Sequence, residues 1–195
     1  EETDMAFLFA QKYHSAMKNV GPVRKEMGER TIFNILGPLT NPANASRQLL
    51  GVYDKELVEK LAEVLANLGV TRGMSVCGGD GLDEITVTGP TYCCEIKDGE
   101  LTSYEIIPEQ FGLSTYPLAE LVGGTPEENA QITKDILSGT LKGAKRDVVL
   151  MNAGIGIYLG SENLTMEEGI KKAEELINSG KAYEKMEEFV KATQQ

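Results

Sequence analysis

This sequence has few of the residues that commonly build metal, disulfide or membrane-spanning structures. Its single histidine, His14, cannot form a zinc site with several histidine ligands. The three cysteines, Cys77, Cys93 and Cys94, show no C-x-x-C spacing, and their odd number does not suit a disulfide framework. Because Cys93 and Cys94 would face opposite sides of a strand, we expect reduced thiols and a cytoplasmic protein.

Long apolar runs and positive charge are also scarce. No run approaches the roughly 20 residues that a membrane-spanning helix needs, and the longest, residues 148–159, contains Asn152. Acidic side chains outnumber basic ones by 30 to 19, which gives a net charge of −11. Because non-specific affinity for nucleic acids comes mainly from lysine and arginine, we expect neither nucleic acids nor membranes as partners.

The composition is otherwise that of an ordinary globular protein with short strands and helices. Of the 195 residues, 41% are apolar and 25% are charged, values typical of folded domains. Alternation and turn signals predict strands at residues 48–53, 73–77 and 85–88, and a hairpin over residues 91–107 that turns at Asp98-Gly99.

Helical signals surround these strands. We expect helices over residues 5–20 and 23–27, and one that begins at Asp54, ends at Gly69 and buries Leu57, Leu61, Val64, Leu65 and Leu68. The C-terminal third is predicted to be all helical, with capping boxes at Thr125 and Thr165. The fold class is therefore α/β, one domain over residues 1–195 with a mixed central sheet flanked by helices.

Asp83 and Glu84 are the strongest local candidates for chemistry. They follow the glycine-rich turn Gly78-Gly79-Asp80-Gly81 at the C-terminal end of a predicted strand, the edge where open α/β sheets bind ligands. Two carboxylates suit Mg²⁺, which keeps several waters and bridges to substrate phosphates. A solvated acidic turn without a ligand is the other interpretation, and the local pattern taken alone favours it.

Three other features are weaker when each is taken alone. The planar fork of Arg24 could hold a carboxylate through two parallel hydrogen bonds, but an exposed basic helix end is the simpler interpretation. His14 is more simply a packed, hydrogen-bonded histidine than a catalytic base. The stretch GIGIYLG at residues 154–160 lacks the glycine spacing of a dinucleotide fingerprint and lies in a helical run, so it indicates close helix packing.

Residues 28–44, GERTIFNILGPLTNPAN, combine an apolar run with two prolines. The apolar residues 32–36 are expected to anchor this stretch in the core. Gly37-Pro38 and Asn41-Pro42 should then form a rigid turn, because proline fixes φ and disfavours the helical region for the residue before it.

Three stretches together resemble the anthranilate phosphoribosyltransferases. RTIFNILGPLTNPA at residues 30–43 is similar to the family's sequence signature, and FLFAQKYHSAM at residues 7–17 to the segment that precedes it. GLDE at residues 81–84 is similar to the family's metal-binding motif. The resemblance runs from about residue 6 to the C-terminus, and it implies the large α/β domain of the nucleoside phosphorylase/phosphoribosyltransferase fold.

The resemblance also implies a reaction and a role for several residues. The family transfers the phosphoribosyl group of phosphoribosyl pyrophosphate (PRPP) to the amine of anthranilate and releases pyrophosphate, in tryptophan biosynthesis. Asp83 and Glu84 would hold Mg²⁺ against the pyrophosphate. Arg24 would bind the anthranilate carboxylate, and His14 and Pro38 would line the anthranilate channel. No residue is expected to act as nucleophile, acid or base, because the amine is itself the nucleophile and catalysis depends on positioning and electrostatics.

The sequence departs from this family by omission. It has no counterpart of the family's Gly-Thr-Gly-Gly-Asp phosphate loop or of most of its N-terminal helical subdomain, which forms the family's dimer interface. We therefore expect the C-terminal α/β part of a longer, homodimeric enzyme, inactive alone. A pyrimidine nucleoside phosphorylase remains an alternative, against which residues 30–43 argue. A non-catalytic nucleic-acid-binding relative is another, against which the acidic charge and the Asp83-Glu84 pair argue.

Overall fold

The computed structural model describes residues 3–8, 26 and 33–194. His14 and Arg24 lie outside these ranges, as does almost all of the helix predicted over residues 23–27. Of the helix predicted over residues 5–20, only residues 5–8 are described, and these are not helical. The predicted helix start at residue 5 is therefore wrong, and the other predictions for residues 9–25 stay untested.

A mixed sheet of four strands forms the centre of the described part of the chain. Its order is β1-β2-β3-β4, where β1 pairs with β2 in parallel and the other two pairings are antiparallel. The strands are β1 (Arg47–Gly51), β2 (Arg72–Gly78), β3 (Thr91–Lys97) and β4 (Glu100–Ile106). The predicted hairpin is confirmed, with Asp98 and Gly99 at φ 53° and 82°, the left-handed conformations that a type I′ turn requires.

Helices flank this sheet, and their caps follow the sequence signals. They are α1 (Phe33–Leu39), α2 (Lys55–Asn67), α3 (Pro126–Leu137), α4 (Ala144–Gly160), α5 (Met166–Asn178) and α6 (Lys181–Thr193), with 3₁₀ turns at Pro108–Phe111 and Leu118–Glu120. The Asp54 carboxylate accepts the N–H of Glu56 at 2.9 Å. The capping boxes at Thr125 and Thr165 both form. Leu68 lies at the end of α2 and is 59% exposed, so its predicted burial is wrong.

Two apolar cores cover the two faces of the sheet, which confirms the α/β class. Helix α2 contributes Leu61 and Leu65 to one core, where Cys94 also lies. Helix α4 contributes Met151 and Ile155 to the core on the other face, with Cys93. The adjacent cysteines therefore point to opposite faces as predicted, and Cys77, Cys93 and Cys94 are all free and buried.

Of the three glycines in α4, Gly154 serves helix packing as predicted, whereas Gly156 and Gly160 have open space where a Cβ would be. A Cβ on Gly154 would come within 2.7 Å of the backbone nitrogen of Ile170, and one on Gly169 within 3.2 Å of that of Tyr158. Glycine at Gly154 and Gly169 therefore lets α4 and α5 pack closely against each other.

The stretch around Gly37 and Pro38 is helical, so the predicted turn at these residues is wrong. Helix α1 continues through both. Proline disfavours a helical residue before it partly by a clash with that residue's Cβ, and Gly37 has none. The helix ends at Thr40, whose N–H and hydroxyl both donate to the carbonyl of Leu36, at 3.0 and 2.9 Å. The predicted turn at Asn41-Pro42 does form, and the N–H of Asn44 donates to the carbonyl of Asn41 at 3.2 Å. Ile35 packs against the core on the α2 side, as expected of the apolar run.

Residues 85–88 do not form the predicted strand. Their backbone groups find other partners, so they need no neighbouring strand. The N–H of Thr86 donates to the hydroxyl of Thr91 at 3.0 Å, and the carbonyl of Val87 accepts the N–H of Tyr116 at 2.9 Å. The apolar side chains in this segment are buried, which explains why its composition is similar to that of a strand.

Candidate functional site

The turn after β2 folds back over the end of β1. Within it, the N–H of Gly78 donates to the carbonyl of Leu82 at 2.9 Å, and the N–H of Gly81 donates to the carbonyl of Gly78 at 2.9 Å. A Cβ on Gly51, the last residue of β1, would overlap the carbonyl group of Asp83. The backbone of Asp83 therefore lies directly against the C-terminal end of β1, at the sheet edge where ligands bind in this fold class.

Asp80 organises this turn from within. Its carboxylate accepts the hydroxyls of Thr86 and Thr88, each at 2.6 Å, and the N–H of Leu82 at 3.0 Å. Burial acts to raise the pKa of Asp80, but these hydrogen bonds outweigh it and lower the pKa below its ordinary value. The Asp80 carboxylate is thus engaged in holding the turn.

Asp83 and Glu84 are both exposed, and neither carboxylate forms a hydrogen bond or ion pair with another described residue. The pKa of Glu84 is raised, mainly because the carboxyl is partly removed from water and to a lesser extent by the negative charges of Asp83 and Asp80. Two unengaged carboxylates under mutual repulsion fit a divalent cation, whose charge would relieve that repulsion.

The donor set agrees with Mg²⁺ chemistry. Among the described residues, no three histidine, cysteine, aspartate or glutamate side chains group closely enough to hold a metal ion. Mg²⁺ is usually bound through one or two carboxylates, with waters and substrate phosphates as its other ligands. From the described residues, such an ion would take the oxygens of Asp83 and Glu84.

Asn152, in the middle of α4, is a feature of the site that we did not identify from the sequence. Its side-chain oxygen accepts the N–H of Ile85 at 3.0 Å, and its side-chain nitrogen donates to the carbonyl of Ile85 at 2.7 Å. Ile85 directly follows Glu84, so this amide fixes the chain where the acidic pair ends. The available signal was a single amide within an apolar run, since a polar group in such a helix must find hydrogen-bond partners.

The structure does not bring the other predicted site residues together with the acidic pair. Pro38 is exposed in α1, its carbonyl accepts the side-chain amide of Gln48 at 3.2 Å, and it lines a cleft of about 80 Å³. Glu84 lines a different cleft, of about 260 Å³. The predicted contacts of His14 and Arg24 with anthranilate fall outside the described residues.

Among the helices in the described ranges, none is sufficiently long and apolar to cross a bilayer.

Comparison with known proteins gives consistent relatives over nearly the whole chain. It is 53% identical over 193 residues to the anthranilate phosphoribosyltransferase of Endomicrobium trichonymphae, a match that covers 99% of this chain and 57% of that protein. The crystal structure of the anthranilate phosphoribosyltransferase from Thermus thermophilus superposes with a TM-score of 0.90 at 43% identity, covering 97% of this chain and 56% of that one.

A third relative was solved with ligands. The Saccharomyces cerevisiae anthranilate phosphoribosyltransferase in complex with PRPP and Mg is 35% identical, has a TM-score of 0.82, and covers 91% of this chain and 51% of that one. The chain thus spans little more than half the length of these relatives. The family described as glycosyl transferase family, a/b domain, matches residues 1–183. The mixed sheet, the acidic turn and this match agree, and the chain belongs to the glycosyl transferase family through its a/b domain.

Proposed function

We propose that this chain is the α/β part of an anthranilate phosphoribosyltransferase, forming one domain over residues 1–195. The enzyme would transfer the phosphoribosyl group of PRPP to the amine of anthranilate and release pyrophosphate, in tryptophan biosynthesis. The observation that carries this proposal is the position of Asp83 and Glu84 at the C-terminal edge of β1 and β2, where neither carboxylate bonds to another described residue. The Saccharomyces cerevisiae relative supports it, since that enzyme was solved with PRPP and Mg and also with 4-fluoroanthranilate.

In this proposal, the acidic pair binds Mg²⁺ and presents it to the diphosphate of PRPP. The ion would neutralise negative charge on the leaving pyrophosphate. Asp80 keeps the turn closed through Thr86 and Thr88, so the two ligand carboxylates are held in place before the substrate arrives. Such preorganisation is the main way in which a protein promotes a reaction whose nucleophile belongs to the substrate.

The anthranilate contacts follow from the resemblance to the family. We propose that Arg24 binds the carboxylate of anthranilate, and that His14 and Pro38 line its channel. We also propose a homodimeric, cytoplasmic enzyme that binds neither nucleic acids nor membranes, and no activity for the 195 residues alone. The free, buried cysteines are consistent with a cytoplasmic protein, and the net charge of −11 is consistent with the lack of nucleic-acid and membrane partners.

The test is a substrate comparison with protein made from the complete reading frame. We expect consumption of anthranilate only when PRPP and Mg²⁺ are both present, and no phosphorolysis of pyrimidine nucleosides. Phosphorolysis without anthranilate consumption would favour the nucleoside phosphorylase alternative. Turnover of anthranilate by the isolated 195-residue chain would refute the proposed inactivity of that chain.

Arg24→Ala tests the anthranilate contact separately. Loss of a bidentate charge-assisted contact should raise the KM for anthranilate by about tenfold or more and leave the KM for PRPP nearly unchanged. Lys25→Ala, at the neighbouring position, is the matched control and should change neither value. Equal increases in both KM values would contradict the role given to Arg24.

A further inference from the structure

We infer that Asn152 is a positioning residue that holds the metal-binding pair Asp83-Glu84 through the backbone of Ile85. This inference rests on the proposed role of that pair. Asn152 contacts neither the ligand carboxylates nor any substrate in this account, and it acts only through the chain segment to which they belong.

The hydrogen bonds of Asn152 reproduce those of a neighbouring strand. Its amide accepts from the N–H of Ile85 at 3.0 Å and donates to the carbonyl of the same residue at 2.7 Å. Residues 85–88 form no strand, so the Asn152 side chain takes the place of the backbone hydrogen bonds that a neighbouring strand would make with Ile85. The side chain of Ile85 is fully buried, and leaving its backbone groups without partners would cost free energy at each of them.

A third hydrogen bond fixes which way the amide points. The side-chain nitrogen of Asn152 also donates to the carbonyl of Val148, one turn earlier in α4, at 2.9 Å. A flipped amide would direct its oxygen at two carbonyl oxygens, so only one orientation satisfies the site. Met151 and Ile155, in the same helix, are fully buried in the core, which anchors α4 beside Asn152.

The acidic pair is therefore held at both ends. Gly51 admits the backbone of Asp83 against the end of β1, and Asn152 fixes Ile85 immediately after Glu84. Because adjacent Cα atoms are about 3.8 Å apart, a shift of Ile85 moves Glu84 directly. Partners that orient metal ligands in this way typically contribute roughly 10–100-fold to metal affinity.

The test measures Mn²⁺ binding to the full chain by electron paramagnetic resonance, with amide hydrogen exchange as a second readout. In Asn152→Asp, the carboxylate cannot donate to the carbonyls of Ile85 and Val148 and is repelled by both oxygens, so it should move away from Ile85. We expect Mn²⁺ affinity to fall about tenfold or more and exchange at Ile85 to accelerate. Asn178→Asp is the control for the added charge, because Asn178 lies outside the cleft that Glu84 lines and a carboxylate there can still accept the Arg146 N–H, which is 3.2 Å away. It should bind Mn²⁺ like wild type.

Two further variants separate this inference from the proposed function. Wild-type affinity in Asp83→Asn/Glu84→Gln, or no saturable Mn²⁺ binding by the wild type, would overturn the metal site and the inference with it. If that double variant loses binding while folded Asn152→Asp retains wild-type affinity, only the role of Asn152 is overturned. If Asn152→Asp does not fold, Asn152→Ser is used in its place, because serine introduces no buried charge and is too short to reach Ile85. Reduced Mn²⁺ affinity in this variant would support the role of Asn152, and wild-type affinity would overturn it.

Discussion

Gly51 gives the most direct prediction about how the fold places Asp83. A Cβ at this position would overlap both atoms of the Asp83 carbonyl group. Non-bonded heavy atoms are normally separated by about 3.5–4.0 Å, so the backbone of Asp83 would have to move by more than about 1 Å in Gly51→Ala. A backbone carbonyl cannot rotate aside as the end of a long side chain can, so the turn must shift as a whole.

Two quantities should change in Gly51→Ala. We expect the free energy of unfolding to fall by about 1–3 kcal/mol, the usual range for an overpacked site, as measured by urea denaturation. Mn²⁺ affinity should fall by about tenfold or more, because the ligands move relative to each other. The backbone of Gly51 has no positive φ, so steric overlap rather than backbone strain is responsible.

Gly156→Ala is the matched control for this substitution. Gly156 lies inside α4 with open space where its Cβ would be, and it has no positive φ. Alanine there should add about 0.5–1 kcal/mol of stability through its higher helix propensity and leave Mn²⁺ binding unchanged. If Gly51→Ala behaved in the same way as Gly156→Ala, the placement of Asp83 against β1 would be wrong.

Three further predictions concern titration and burial. Hydrogen bonds lower the pKa of Asp80 in the folded state, so the ionised carboxylate stabilises the fold above its ordinary pKa of 3.8 and this contribution is lost as pH falls through the lowered pKa. In Asp80→Asn, the free energy of unfolding should therefore decrease less steeply as the pH is lowered in the acid range. An unchanged dependence on pH would contradict this. Tyr158→Phe removes the hydroxyl that donates to the buried Glu95 at 2.5 Å and should cost about 1–3 kcal/mol in urea denaturation, whereas a change near zero would argue against that bond. Burial, and to a lesser extent the charge of Glu95, raises the pKa of Cys93 to about 12. This thiol should therefore resist a thiol-specific disulfide reagent at neutral pH in the native protein and react in urea. Rapid labelling of Cys93 in the native protein would contradict its burial.

Features that depend on neighbouring residues could be predicted from the sequence. The Asp98-Gly99 hairpin follows from the left-handed φ values that such a turn requires. The capping boxes at Thr125 and Thr165 join residues three positions apart, and the sequence alone contains both partners. The acidic pair was found for the same reason, since a strand, a glycine-rich turn and two carboxylates follow one another directly.

Features that depend on distant residues could not be predicted in this way. Asn152 and Ile85 are 67 positions apart, so no local pattern could show that a side chain of α4 would replace a strand partner. The close approach of Asp83 to Gly51 likewise depends on how the turn folds back. The helix through Gly37 and Pro38 was missed for a different reason, since the general rule for residues before proline assumes a Cβ that glycine lacks.

The central claim is that Asp83 and Glu84 hold the Mg²⁺ ion that the transferase reaction needs. It is tested most directly by the rate of pyrophosphate release from PRPP, with and without anthranilate, in protein from the complete reading frame. The control, Asp98→Asn/Glu100→Gln, makes the same change of charge in the hairpin turn at the opposite edge of the sheet, and it should retain the wild-type rate.

We predict that anthranilate-dependent release saturates with Mg²⁺ in the wild type. In Asp83→Asn/Glu84→Gln it should fall by at least about 100-fold, because a bound metal ion contributes several kcal/mol to stabilising transition-state charge. Near-normal release by the folded double variant, with its Mg²⁺ dependence intact, would contradict the account.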